Sequence, residues 1–270
     1  MPIPPDTPLN AITGMFPGNI AAYNAPGTRT AGYNHTYNHY IASRDAGIAA
    51  SGSLAAWIGG GGAAIAIQSL LISFGMNACE SVLVPVTAFQ GELRSLHPPT
   101  IDWISSYSLP FPAPPPALIN PATGANLAAD LHAIYDSLVT PGAVTASGGY
   151  VAASKALHCL FPSLVPMIDG KHTGLSYYHI VRGTYTPPLG LDNWGIWVGA
   201  PMAGVPNPSP RGAGRNGWDW KRFLAATGIN QRIYELWQSA HGNPGLHAFL
   251  AVDPPAGMSG VPRIIDKVLW

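Results

Sequence analysis

The chain is short of charge, of cysteine and of strand-like alternation, and each shortage excludes a class of protein. Only 10% of its 270 residues are Asp, Glu, Lys or Arg, and 13 basic residues balance 13 acidic ones. With no net charge, no overall field draws the chain to nucleic acid or to an acidic membrane surface. Two cysteines, Cys79 and Cys159, are too few for a disulfide-stapled fold, and neither has partners at metal-ligand spacing. No run alternates apolar and polar residues over the length of a strand. No cofactor fingerprint is found either: Gly59 to Gly62 is followed by no Lys-Ser/Thr pair and preceded by no strand pattern, which sets it outside the phosphate-loop class. The first residues, Met1-Pro2-Ile3-Pro4-Pro5-Asp6, carry neither a basic nor an apolar leader segment. An intracellular place, cytoplasmic or nuclear and without a signal peptide, is therefore expected.

What the chain does contain is apolar bulk and punctuation. Hydrophobic residues make up 47%, enough for a sizeable core, and 31 glycines and 28 prolines divide the chain into short segments. The apolar spacing predicts a mainly α protein, a compact multi-helix globular bundle with long Pro/Gly-rich loops. Residues 1–35 read as an extended N-terminal arm, and 36–270 as a single helical domain in which the Pro-rich connector 109–118 is placed to join two lobes. Helices are expected over 36–50, 125–138, 150–161, 218–227, 230–241 and 262–270, with Asp130 and Asp136 on the wet side of the second. Around Gly59 to Gly62 the pattern allows two short buried helices meeting at the glycines or one helix packed closely on a neighbour. Residues 77–96 read as helical, kinked or broken at Pro85, and ended by His97-Pro98-Pro99. His35 and His39 stand four apart on a helix with no third ligand nearby, so packing or solvent accounts for them better than a metal.

Titratable residues of three kinds come together only in Gly148 to His172. Val151, Ala152, Ala156, Leu157 and Leu160 recur at helical offsets, with Gly148-Gly149 before them and Pro162 after. Lys155 and His158, three apart, share a face of that helix, and Asp169 returns beyond a Pro-bounded loop. Singly, each has an ordinary structural role: a surface lysine, a satisfied core histidine and a helix-capping aspartate. Together they are the best candidates for catalysis. Charge is also uneven along the chain, since residues 151–270 hold ten basic against six acidic side chains, a net of +4.

The pattern Ala153-Ser154-Lys155-Ala156-Leu157-His158, then Phe161-Pro162, then Val165-Pro166-Met167-Ile168-Asp169 resembles the Lys-to-Asp segment of the helix-hairpin-helix base-excision DNA glycosylase superfamily. The ending Arg263-Ile264-Ile265-Asp266-Lys267-Val268-Leu269-Trp270 is similar to that of some uncharacterised relatives. Val151 and Ala153 stand at the positions of the two hairpin glycines, and the Lys-to-Asp spacing is shorter than is usual there. The resemblance implies a helical glycosylase-like fold. It also implies Lys155 as an amine nucleophile, Asp169 as the carboxylate that stabilises the developing charge, and a nucleic acid or nucleobase-like small molecule as partner. Tyr178, Trp194, Trp197 and Trp218 are the candidate stacking residues for such a base. A second class stays open on the same residues: a noncatalytic interaction module that recognises its partner through the Trp-bearing segment 183–217.

Overall fold

A computed structural model describes residues 7–76, 82–169, 172–182, 220–255 and 258–270. Helix accounts for 66% of the structure and no strand occurs among the described residues. The only β-type pairings there are single bridges between Leu83 and Thr145 and between Ile119 and Asn126. In chain order the helices are α1 (Leu9–Thr13), α2 (Phe16–Asn24), α3 (Arg29–Ser51), α4 (Leu54–Gly59), α5 (Gly62–Ser73), α6 (Val86–Ser95) and α7 (Pro98–Ser105). They continue with α8 (Leu127–Val139), α9 (Tyr150–Leu160), α10 (Thr173–Arg182), α11 (Trp220–Ala240), α12 (Leu246–Leu250) and α13 (Val261–Leu269). No helix among the described residues is long and apolar enough to cross a membrane.

The N-terminal segment expected to be extended is helical from Leu9. Its Pro, Gly and Asn content is outweighed by Leu9, Ile12, Phe16, Ile20 and Tyr23, which bury one stripe at spacings of three and four. α3 begins seven residues earlier than the periodicity indicated, because the Thr28 side chain accepts the Ala31 N–H as its N-cap. At the glycine run the two-helix alternative is realised: α4 stops, Gly61 takes φ 87°, and α5 starts at Gly62. α6 starts only after Pro85, and Pro98, expected to end an element, instead begins α7, where its missing N–H is not needed. Asp130 is buried rather than wet and accepts from Asn120 Nδ2 at 2.7 Å. Arg44 of α3 donates to the Leu160 carbonyl at the end of α9. The two helices expected at 218–227 and 230–241 are one, α11. Its buried face carries Phe223, Ile229 and Ile233 through Gly228, and this packing exceeds the cost of about 1 kcal/mol for a mid-helix glycine.

Every residue of the last helix is buried, and it organises the rest. α13 packs on α2, α10, α11 and α12. Its apolar residues Val261, Ile264, Ile265, Val268 and Leu269 are all in the core, and so are Arg263, Asp266 and Lys267. Lys267 Nζ lies 2.5 Å from Asp253 Oδ2, which also accepts from Ser259 Oγ at 2.8 Å. Asn24 Nδ2 donates to the other Asp253 oxygen at 2.9 Å, and Asn19 Nδ2 to the Val268 carbonyl at 2.7 Å, so α2 is tied both to α13 and to the segment before it.

Candidate functional site

α9 is set by its glycine pair. Gly148 has φ 71° and Gly149 φ 143°, and a Cβ on Gly148 would come within 2.6 Å of the Val139 carbonyl oxygen. Only glycine lets the chain turn this closely from the end of α8 into α9. The positions matched to the hairpin glycines, Val151 and Ala153, lie inside the helix itself. From Ala152 to Leu160 every residue of α9 is buried, Lys155 included at 8% exposure. The returning segment is fastened to the helix by Ser154, whose Oγ donates to the Ile168 carbonyl at 2.9 Å and accepts the Ile168 N–H at 3.3 Å. That bond delivers Asp169 to the mouth of the site.

Asp169 Oδ1 accepts the His172 backbone N–H at 2.5 Å, in the turn before α10 starts at Thr173, and its own N–H donates to Thr173 Oγ1 at 3.0 Å. The turn is tight: a Cβ on Gly174 would overlap the Asp169 carbonyl oxygen, which accepts the Gly174 N–H at 2.7 Å. Gly174→Ala is therefore expected to displace Asp169 and to cost about 1–3 kcal/mol, as overpacking against a backbone atom does. Gly91→Ala in α6, where nothing stands within 4 Å of the added carbon, should be neutral or stabilising. Urea unfolding of both variants checks the pair, and equal effects would mean that the contact at Gly174 is not a constraint.

Lys155 and Asp169 line one cavity. Its empty volume, open mouth included, is about 390 Å3. Tyr23, Tyr33, Phe74 and Trp270 supply aromatic walls, and Arg263 and Asp266 reach it from α13. Lys155 Nζ stands 3.7 Å from Met76 Sδ and 5.4 Å from the centre of the Phe74 ring, a cation–π contact. The indole of Trp270 stacks on His172 with centroids 4.2 Å apart, so the last residue of the chain clamps the turn that carries Asp169.

His158 is not brought to this cavity. It is fully buried, with Nε2 2.9 Å from the Tyr37 hydroxyl and Nδ1 2.7 Å from the Val165 carbonyl. Burial pushes its pKa down to about 3, so it stays neutral and structural. One turn of helix explains the separation: residues three apart share a face of α9, but that face is broad enough for Lys155 to meet Phe74 and Met76, just beyond the end of α5, while His158 meets α3. Of the stacking candidates, Trp194, Trp197 and Trp218 lie outside the described residues, as does the side chain of Tyr178.

Among the groups of the cavity that escaped the sequence reading are Tyr23, Tyr33, Arg263 and Asp266. The last two carried a usable signal, since a nine-residue helix with five apolar positions and three charges has no wet face large enough for all of them. Asp266 Oδ2 accepts the Met167 N–H at 2.8 Å and Oδ1 accepts from the Tyr177 hydroxyl at 3.1 Å. Burial outweighs these bonds and raises its pKa to about 8, which leaves it mostly protonated at neutral pH. Cys159 is buried, its thiol pushed up to about 12 mainly by burial, and so is chemically inert. No group of three metal-ligating side chains occurs among the described residues. Comparison of the chain with protein families, with curated proteins and with solved structures finds a match in none of them.

Proposed function

We propose that this cavity is an amine–carboxylate site acting on a nucleobase-bearing sugar, with Lys155 as nucleophile and Asp169 as the group that stabilises positive charge at the sugar carbon. The observation that carries the reading is the shared cavity: a largely buried amine and a carboxylate, delivered by α9 and by the turn after it, open onto aromatic walls that suit a planar ring. In the reaction Lys155, having first given up a proton to solvent, attacks the anomeric carbon with its nitrogen lone pair as the bond to the base breaks. The base leaves with the electrons of the broken bond and takes one amine proton, and the other passes to the ring oxygen as the sugar opens to an imine. Zero net charge provides no long-range attraction to a duplex, so a single strand or a free nucleoside fits the chain better than double-stranded DNA. The resemblance to base-excision glycosylases points the same way, and His158 has no part in the step.

Borohydride trapping tests it. Incubated with an abasic single-stranded oligonucleotide and reductant, the wild-type chain is expected to form a stable covalent adduct, and Lys155→Met to lose at least 90% of it, with an unchanged unfolding midpoint as the control. Adduct that persists in Lys155→Met, or no adduct with the wild-type chain, removes Lys155 from the nucleophile's role.

A further inference from the structure

Arg263 is a buried cation without an acid. At 2% exposure its guanidinium has no carboxylate within salt-bridge distance among the described residues. Its Cζ lies over two rings, 4.5 Å from the centre of Tyr37 and 5.1 Å from that of Tyr23. Its donors are mostly unmet. Of the five N–H donors a guanidinium carries, one nitrogen, Nη2, reaches a protein acceptor among the described residues, the Tyr23 hydroxyl at 3.0 Å, and Nε is buried with no protein partner. Stacking offsets part of the burial of charge, but donors left along the edge of a buried guanidinium cost free energy until an acceptor meets them.

The nearest acid in sequence on the same helix does not serve. Asp266 spends its oxygens on the Met167 N–H and the Tyr177 hydroxyl, and its raised pKa leaves it mostly uncharged at pH 7. Asp169 spends Oδ1 on the turn that holds it. Lys155, the other cation of the cavity, adds to the excess of positive charge in its wall.

We infer that the cavity takes a small planar monoanion, an aromatic carboxylate of single-ring size, with its carboxylate on the edge of Arg263 and its ring among Phe74, Tyr33 and Trp270. The guanidinium fork matches the two carboxylate oxygens, and its contacts with the two tyrosines hold it in place before any ligand arrives. The inference requires the cavity to be a binding site, as the proposal above does, but requires no amine chemistry at Lys155.

Calorimetric titration of the full chain with benzoate, benzamide and inorganic phosphate tests it. Benzoate is expected to bind at least tenfold more tightly than benzamide, which keeps the ring and loses the charge, and more tightly than phosphate, which keeps the charge and loses the ring. Arg263→Lys, which keeps the charge and loses the fork, should weaken benzoate at least tenfold. Should that variant not fold, nuclear Overhauser contacts between the ring protons of bound benzoate and the Trp270 indole in the wild-type chain locate the ligand instead. Equal affinity for benzamide, a preference for phosphate, a folded Arg263→Lys that binds benzoate as the wild type does, or no contact to Trp270 overturns the inference. Benzoate binding without borohydride adduct would leave this inference standing and the amine chemistry refuted.

Discussion

Asp253→Ala is expected to lower the free energy of unfolding by about 3–5 kcal/mol, the cost of stranding one member of a buried ion pair. The side chains of Lys267 and Asp253 are 1% and 2% exposed. Removing the carboxylate leaves the ammonium in the core with Asn24 Oδ1 at 3.4 Å as its remaining hydrogen-bond acceptor. It also frees Ser259 Oγ and Asn24 Nδ2, which now donate to Asp253. Burial, and then repulsion from Arg263, already press the Lys267 pKa down to about 8, against the pull of Asp253. Without the carboxylate it falls further, so the variant should regain stability as pH rises toward the unfolded value of 10.5, where the unfolded chain no longer gains a proton that the fold excludes. The double substitution Asp253→Leu/Lys267→Met is expected to recover most of the loss, because an apolar pair of similar volume carries no desolvation cost. Glu235→Ala, at the exposed pair with Arg232, should change stability by no more than about 1 kcal/mol. Urea midpoints at pH 7 and 10 decide the matter; a loss under about 1 kcal/mol for Asp253→Ala would show that α13 is not anchored through this pair.

The second large effect is a pair of opposed proton linkages. His158 is depressed from 6.5 to about 3 by burial, so below 6.5 the unfolded chain takes up a proton that the fold refuses. Its contribution is complete above pH 6.5 and is lost as pH falls toward 3, by about 1.4 kcal/mol for each unit. Asp266 is raised from 3.8 to about 8, so above 3.8 the unfolded chain releases a proton that the fold retains. Its contribution is complete below 3.8 and is lost as pH rises toward 8. Between 3.8 and 6.5 the two slopes oppose each other, and from these groups the wild-type chain should show little dependence on pH until stability declines above 6.5. Asp266→Asn removes one linkage and should expose the other as a fall of about 1.4 kcal/mol per unit between pH 6 and 4. Unfolding free energies measured across pH 4–8 test both arms, and an Asp266→Asn profile without that fall would show that His158 accepts a proton in the folded state.

The same two residues show how far the chain can be read before it is folded. The span of α9 was legible because Gly148-Gly149 and Pro162 bound a run of apolar residues at helical offsets, and all of that information is local. So was the absence of strands among the described residues, and so was α13, expected at 262–270. Asp169 holds a turn rather than the helix-capping place expected of it, because α10 begins only at Thr173. The N-terminal helices were misread because composition was weighed above a stripe of five apolar residues. α11 was split because a glycine costs a helix little when both sides of it are packed.

By itself, then, the order of residues determined where helices form and which face of each is apolar, since propensity, capping and periodicity act over four or five positions. Which faces meet was decided only by the tertiary structure. Tyr23, Lys155 and Asp266 lie far apart along the chain and share a wall because α2, α9 and α13 converge, and His158 leaves that wall because α3 passes on its side of α9. Whether a charge is buried, what it pairs with and so what its pKa becomes are properties of that convergence. Long-range packing sets the dielectric and the partners of a side chain, and no local pattern encodes either.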